Sequence, residues 1–312
     1  MRLGIALDLG LARPDGPVLV LHPPVSMDLA GLDVTIVHPM KPIHDDWASQ
    51  GIRVETEVPD GRYALAVVCC TRSKAQTQDL IAQAAAVADV VVVDGQKTDG
   101  VDSHYKMLRK RCDVKGTVTK AHGRLFWFAA PDLTDLIGAP KVIGEFQTRA
   151  GVFSADGIDP ASALLASALP DLKGRICDLG GGWGYLTAHV LNMAGVTQVD
   201  LVEADHVALD CAAVNIIDPR CKLHWADARS WSGTYDHVVM NPPFHTGRQG
   251  DTALGKDFIT AAARSLTAKG QLWMVANRHL PYEDTLNAAF GSVTELPGDG
   301  RFKLFQASRP LA

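Results

Sequence analysis

Short apolar runs alternate with amphipathic stretches through the second half of the chain. Arg175–Leu179, Val199–Val202, Cys221–Trp225, Tyr235–Met240 and Gln271–Asn277 each have the length and apolar character of a buried strand. Between and around them, Ala161–Leu169, Tyr185–Ala194, His206–Ile216, Phe258–Leu266 and Pro281–Phe290 predict helices, the last opened by a proline. Such alternation predicts an α/β fold with a doubly wound, mostly parallel sheet. Two further runs, Val293–Leu296 and Phe302–Ala307, are joined by Pro297-Gly298-Asp299-Gly300 and predict a hairpin. The sheet is then seven-stranded with an antiparallel edge.

The first half repeats this grammar more faintly. Strands are expected near 18–21, 34–37, 64–69, 90–93 and 125–128, with a helix over Ala75–Ala88. Tyr63–Val68 followed by Cys69-Cys70-Thr71 parallels Tyr235–Met240 followed by Asn241-Pro242-Pro243-Phe244. Either the chain contains an internal duplication whose first copy lacks the polar tetrapeptide, or two buried strands resemble each other by chance. Gly138-Ala139-Pro140 and the turn-rich stretch from Gly151 to Pro160 mark a boundary near 150, dividing the chain into domains 1–150 and 151–312.

With 312 residues, 47% of them hydrophobic and 21% charged, each half can bury a core, and disordered, collagen-like and coiled-coil chains are excluded. No stretch has the roughly 18 apolar residues of a membrane span. Asp8 interrupts what would be the apolar part of a secretory signal, so a cytoplasmic protein without membrane contact is expected. The six cysteines lack C-x-x-C spacing, and His206 and His224 have no partners at ligand spacing. No metal is expected, and reduced core cysteines are. The net charge of −5 does not suggest a nucleic-acid binder, yet residues 97–124 carry eight Lys and Arg against three Asp, a local +5. That stretch is read either as one face of an RNA footprint or as a solvated helix and loop.

The chemistry concentrates behind residue 177. Asp178-Leu179-Gly180-Gly181-Gly182-Trp183-Gly184 follows a strand and opens a helix, where glycines let the backbone approach a ligand. A nicotinamide fingerprint would need glycine at 185, where Tyr185 stands. Glu203 ends the next strand, placed to accept hydrogen bonds from ribose hydroxyls, and Asp227 follows the third. The three acids Asp178, Glu203 and Asp227 thus lie at the ends of three successive strands. Asn241-Pro242-Pro243-Phe244 follows the fourth strand. An exocyclic amine conjugated to a ring is a poor nucleophile. The Asn241 side-chain oxygen and the Pro242 carbonyl can accept its two hydrogens and fix it for in-line attack, while Phe244 offers a stacking face.

The D-x-G-x-G-x-G spacing resembles the cofactor loop of class I S-adenosylmethionine-dependent methyltransferases, and Asn241–Phe244 resembles the N-P-P-[FYW] motif of amino-group methyltransferases. The resemblance implies S-adenosyl-L-methionine held by Asp178, Gly180, Gly182, Gly184, Glu203, Asp227 and Asn241, with Asp227 receiving the adenine amino group. Asn241, Pro242, Pro243 and Phe244 are then the catalytic residues. Asn241–His245, Val275–Tyr282 and Gly300–Lys303, with Gly151–Ser154 and Ile158-Asp159, are similar to the ribosomal RNA guanine-N2 methyltransferases, particularly the small-subunit methyltransferase C family. In the first half, Val91–Gly95 and Gly100–Ser103 are similar to that family's first domain. Membership implies two Rossmann-like methyltransferase domains, the first degenerate and used for RNA recognition. It also implies methyl transfer to a guanine N2 amino group in ribosomal RNA, naked or in the assembled small subunit, by a monomer. The other readings are methylation of an adenine amino group in nucleic acid or of a protein glutamine amide, and, in a different class, a non-catalytic RNA-binding protein.

Overall fold

The computed structural model describes residues 2–243 and 252–311. Two compact units emerge: Met1–Pro140 with Arg149–Gly151, and Lys141–Thr148 with Val152–Ala312.

The first unit runs α1 (Arg2–Asp8), β1 (Val18–Leu21), β2 (Val34–Val37), α2 (Lys41–Ser49), β3 (Arg53–Glu55), β4 (Tyr63–Cys69), α3 (Lys74–Val87), β5 (Ala88–Gln96), α4 (Val101–Leu108), β6 (Val114–Lys120) and β7 (Gly123–Ala129). Among the described residues its sheet has seven strands in the order β3-β2-β1-β4-β5-β7-β6. Pairing is parallel except at β5–β7 and β6–β7. β1 is buried along its whole length, as a strand covered on both faces must be. The stretch 97–124, read as a footprint or as helix and loop, forms α4 and the β6–β7 hairpin. β6 is an edge strand whose Lys115, Thr117, Thr119 and Lys120 are exposed, a polar pattern that discourages further pairing.

The second unit begins with the small hairpin β8 (Lys141–Ile143) and β9 (Phe146–Thr148). It continues with α5 (Pro160–Ala168), β10 (Gly174–Leu179), α6 (Tyr185–Leu191), β11 (Val196–Glu203), α7 (His206–Asn215), β12 (Cys221–Trp225), β13 (Tyr235–Met240), α8 (Thr252–Arg264), β14 (Leu266–Asn277), α9 (Glu283–Ala289), β15 (Phe290–Leu296) and β16 (Phe302–Pro310). The described sheet order is β12-β11-β10-β13-β14-β16-β15. β16 lies antiparallel between β14 and β15, so the final hairpin forms the expected antiparallel edge. α6 stops at Leu191, short of the expected Ala194, and α8 begins at Thr252, earlier than expected.

The two orders are the same when strands are counted within each unit, which supports the internal duplication. β4 occupies in the first sheet the place of β13 in the second. Apolar side chains cover both faces of the second sheet. Leu179, Val202, Val238 and Met240 pack with α8, and Ile176, Val199, Val239 and Val275 pack with α5 and α6. In each sheet the strand order reverses beside the first strand, and open α/β sheets bind ligands in the crevice at such a reversal.

Candidate active site

In the second unit, β10 pairs in parallel with β11 on one side and β13 on the other, with Asp178 opposite both Leu201 and Val239. The turns leaving these three strands therefore meet at one edge. They carry the glycine loop, Glu203 and Asn241.

The loop is held by its own backbone. The amides of Gly180 and Gly181 both donate to the Val202 carbonyl, at 2.8 and 3.1 Å, and Gly184 N donates to Gly181 O at 3.0 Å. Gly182 has φ +56° and nothing within 4 Å of where a Cβ would stand, so this turn faces open space. Gly181 lies on the opposite wall, where a Cβ would come within 2.6 Å of Leu201. The close packing and the left-handed backbone are why the sequence needs glycines here.

Glu203 clamps this loop. Its carboxylate accepts from Gly182 N and from Asp205 N, each at 2.8 Å. Asp178 is fully buried; Thr187 Oγ1 donates to its Oδ2 at 2.7 Å, while Oδ1 is buried with no hydrogen-bond partner. Burial, reinforced by the Glu203 charge, raises the Asp178 carboxyl to about 7. Burial and Glu203 also raise Asp205 to about 7, and burial raises Glu203. Asp205 caps α7 by accepting from Val207 N at 3.0 Å. Three desolvated carboxyls beside an open glycine turn, one with an orphaned oxygen, suit a cationic ligand. S-adenosylmethionine, with its sulfonium and ammonium, has that charge, and the residues present fit it.

Asp227 stands after β12 at the same edge, but its carboxylate is gripped by Arg229. The guanidinium Nε lies 3.0 and 2.9 Å from the two oxygens, Nη2 lies 2.6 Å from Oδ2, and the Arg229 amide donates to Oδ1 at 2.9 Å. Asn241 follows β13, half-buried, with Pro242 buried and Pro243 exposed. Its Nδ2 donates to Asp159 Oδ2 and to Ser162 Oγ, both at 2.9 Å. Phe244 and His245 lie outside the described residues.

Asn215, Asp159 and Ser162 escaped the sequence reading, whereas Trp183 stood in it as part of the glycine loop. Asn215, at the end of α7, exchanges hydrogen bonds with the Gln147 backbone at 2.7 and 2.9 Å and donates to the Trp183 carbonyl at 2.9 Å. It thereby ties β9 to the glycine loop. Trp183 is buried against Phe146 and Tyr185, and its Nε1 donates to Phe153 O at 2.9 Å. Phe153 itself is 54% exposed on the segment between β9 and Asp159. Asp159 and Ser162 are likewise new. Their sequence signals are Asp159 before Pro160, a helix N-cap pattern, and the Ile158-Asp159 pair similar to the guanine-N2 family, neither of which gave them a role in the site.

The equivalent edge of the first sheet is furnished differently. β1 ends at His22-Pro23-Pro24 instead of a glycine cluster, His38 stands after β2, and Cys70 follows β4. The His22 and His38 rings lie 5.2 Å apart, Met27 Sδ lies 3.8 Å from Cys69 Sγ, and Arg2 Nε pairs with Asp94 at 2.5 Å. These side chains stand where the second sheet has its glycine loop.

No helix among the described residues is long and apolar enough to cross a membrane, and none of their His, Cys, Asp and Glu side chains form a group of three or more that could hold a metal ion.

Fold and site geometry together define a class I methyltransferase domain, and the family model described as the methyltransferase small domain matches residues 144–306. The chain is similar to ribosomal RNA small subunit methyltransferase C of Shewanella sp. strain MR-4, 30% identical over 242 residues, which span 73% of this chain and 71% of that one. The protein of the same name from Erwinia tasmaniensis is 31% identical over 76% of this chain and 72% of its own. Among solved structures, the T. thermophilus 16S rRNA N2 methyltransferase in complex with AdoMet and guanosine matches with a TM-score of 0.81 at 25% identity, over 97% of this chain and 90% of that one. The chain belongs to the methyltransferase small domain family and, within it, to the ribosomal RNA small subunit methyltransferase C family.

Proposed function

We propose that the protein transfers a methyl group from S-adenosyl-L-methionine to the exocyclic N2 amino group of a guanine in small-subunit ribosomal RNA. The observation that carries this reading is the meeting of the glycine loop and Asn241 at the carboxyl ends of the paired strands β10 and β13. The relatives' names support small-subunit ribosomal RNA as the target, and the T. thermophilus N2 methyltransferase with its bound guanosine supports the choice of amine.

When bound, S-adenosylmethionine supplies an electrophilic methyl group. The open turn over Gly180, Gly182 and Gly184 would receive its methionine part, with Asp178 balancing the ammonium charge. Glu203 would accept the ribose hydroxyls and Asp227 the adenine amino group, the latter while keeping its contact with Arg229. Asn241 Oδ1 and the Pro242 carbonyl hold the two hydrogens of the target amine, so the nitrogen lone pair is aimed and the positive charge developing there meets two fixed dipoles. Pro243 keeps the turn rigid, and Phe244 supplies the stacking surface. No strong base is required, because the attacked nitrogen becomes acidic once methylated.

The first unit serves RNA recognition, with the cluster around Arg109, Lys110 and Arg111 as its footprint. The enzyme acts as a cytoplasmic monomer.

The test is single-turnover methyl transfer at saturating cofactor and ribosomal RNA with Asn241→Ala. Loss of one preorganised polar group should lower the rate at least about a hundredfold while cofactor affinity is retained. Near-normal turnover would reduce the tetrapeptide to a structural turn.

A further inference from the structure

A side-chain amide is nearly symmetric in shape. Turning it by half a rotation exchanges its oxygen for its nitrogen and converts an acceptor into a donor. An Asn that must receive hydrogens from an amine therefore needs something to forbid the wrong orientation.

In this structure that constraint comes from outside the tetrapeptide. The Asn241 amide nitrogen lies 2.9 Å from Asp159 Oδ2 and 2.9 Å from Ser162 Oγ. An ionised carboxylate only accepts, so the atom facing it must be the N–H-bearing nitrogen. The acceptor is itself immobilised. The same Asp159 Oδ2 takes the Ser162 amide at 2.8 Å as the N-cap of α5, and Pro160 sets the first helical residue. Ser162 is almost wholly buried, so its hydroxyl has little freedom to leave. With both amide hydrogens committed to α5, Oδ1 is turned away from that helix. A flipped amide would lose the hydrogen bond to Asp159 and set an oxygen against its carboxylate; the Ser162 hydroxyl can serve either face, so the carboxylate sets the amide's direction and the hydroxyl its place.

We infer that Asp159 and Ser162 are positioning residues that lock the Asn241 amide with its oxygen toward the substrate, so that the site selects a hydrogen-donating amine over a ring nitrogen or keto oxygen. This rests on the reading of Asn241 as the acceptor for the target amine. The two residues lie 82 and 79 positions before Asn241, and the start of α5 brings them to it.

The experiment uses the full chain, with single-turnover methyl transfer to ribosomal RNA, S-adenosylhomocysteine titration and thermal melting on each variant. Ser162→Ala removes the hydroxyl but keeps the backbone amide that caps the helix. It should slow transfer about five- to tenfold at saturation, with cofactor affinity and melting unchanged, the scale of one neutral hydrogen bond. Asp159→Ala should slow it about 10- to 100-fold. Asp159→Asn, whose oxygen can take both hydrogen bonds, should recover most of the rate. Wild-type turnover in both Ser162→Ala and Asp159→Ala, with Asn241→Ala inactive, would overturn the positioning role and leave the function standing. An Asn241→Ala enzyme that turns over normally would instead overturn the parent reading. If Asp159→Ala fails to fold, Ser162→Ala alone decides: a slowed rate with unchanged melting supports the inference, and an unchanged rate defeats it.

Discussion

Replacing Glu203 with alanine should weaken cofactor binding by a definable amount. In the free protein the carboxylate already spans Gly182 N and Asp205 N, at 2.8 Å each. The substitution removes the proposed ribose acceptor and loosens the turn that faces the ligand. A hydrogen bond to a charged group is worth about 1.5–3 kcal/mol. At about 1.4 kcal/mol per tenfold, affinity for S-adenosylhomocysteine should fall roughly 10- to 150-fold. The two amides left behind lie beside open space at Gly182, so water can take them and the fold should survive. Glu203→Gln should fall between, because its oxygen can serve one amide while its NH2 faces the other donor. The assay is calorimetric titration of S-adenosylhomocysteine, with circular dichroism and thermal melting as fold controls. Unchanged affinity in a well-folded Glu203→Ala protein would remove Glu203 from the cofactor site. An equal loss on changing the distant Glu295 would show that the effect is not local.

Because burial raises Asp178 to about 7, its ionised form, which a cationic ammonium favours, gains population as pH rises. S-adenosylhomocysteine affinity should therefore strengthen between about pH 6 and about pH 8, and Asp178→Asn should flatten that dependence in calorimetry. In the first unit, burial lowers His22 to about 4 and His38 to about 3 from 6.5. Their stabilising contribution is complete above 6.5 and is lost as pH falls through the folded values. The loss is on the order of a few kcal/mol and should appear as an acid melt that His22→Gln and His38→Gln shift to lower pH. Reversing Arg109, Lys110 and Arg111 to Glu should weaken RNA binding in filter or fluorescence titrations without changing cofactor affinity, and wild-type RNA affinity should fall with salt. Phe153→Ala, removing an exposed ring from the rim, should cost RNA affinity on the scale of one stacked base, about 1–3 kcal/mol, while leaving S-adenosylhomocysteine titrations unchanged.

What the sequence disclosed depended on how strongly each element is buried. The parallel strands of the second sheet are covered on both faces and read as apolar runs, so β12 and β13 have the predicted limits. β6 was hidden because an edge strand carrying Lys115 and Lys120 has no buried stripe to announce it. β16 inserts between β14 and β15, a non-local arrangement that hairpin spacing cannot specify. In the site, the glycine loop, Glu203 and Asn241 were legible because each sits just after a strand. Asp159, Ser162 and Asn215 were not, since their roles come from contacts distant in the chain: Asn215 to Trp183 spans 32 positions, and Asp159 to Asn241 spans 82. Nor did the Asp227–Arg229 pair follow from Asp227 as a lone acid at a strand end.

Methyl transfer to a guanine N2 amine of small-subunit ribosomal RNA can be measured directly. The purified full chain should be incubated with isotopically labelled S-adenosylmethionine and small-subunit ribosomal RNA, naked or assembled into subunits, taken from cells that lack this protein. The RNA is then digested to nucleosides and analysed by mass spectrometry. One labelled product is expected, N2-methylguanosine, formed at a single position by the wild-type protein and lost with Asn241→Ala. Label in a methylated adenosine, or no transfer to either form of the RNA by a protein that binds S-adenosylhomocysteine, would contradict it.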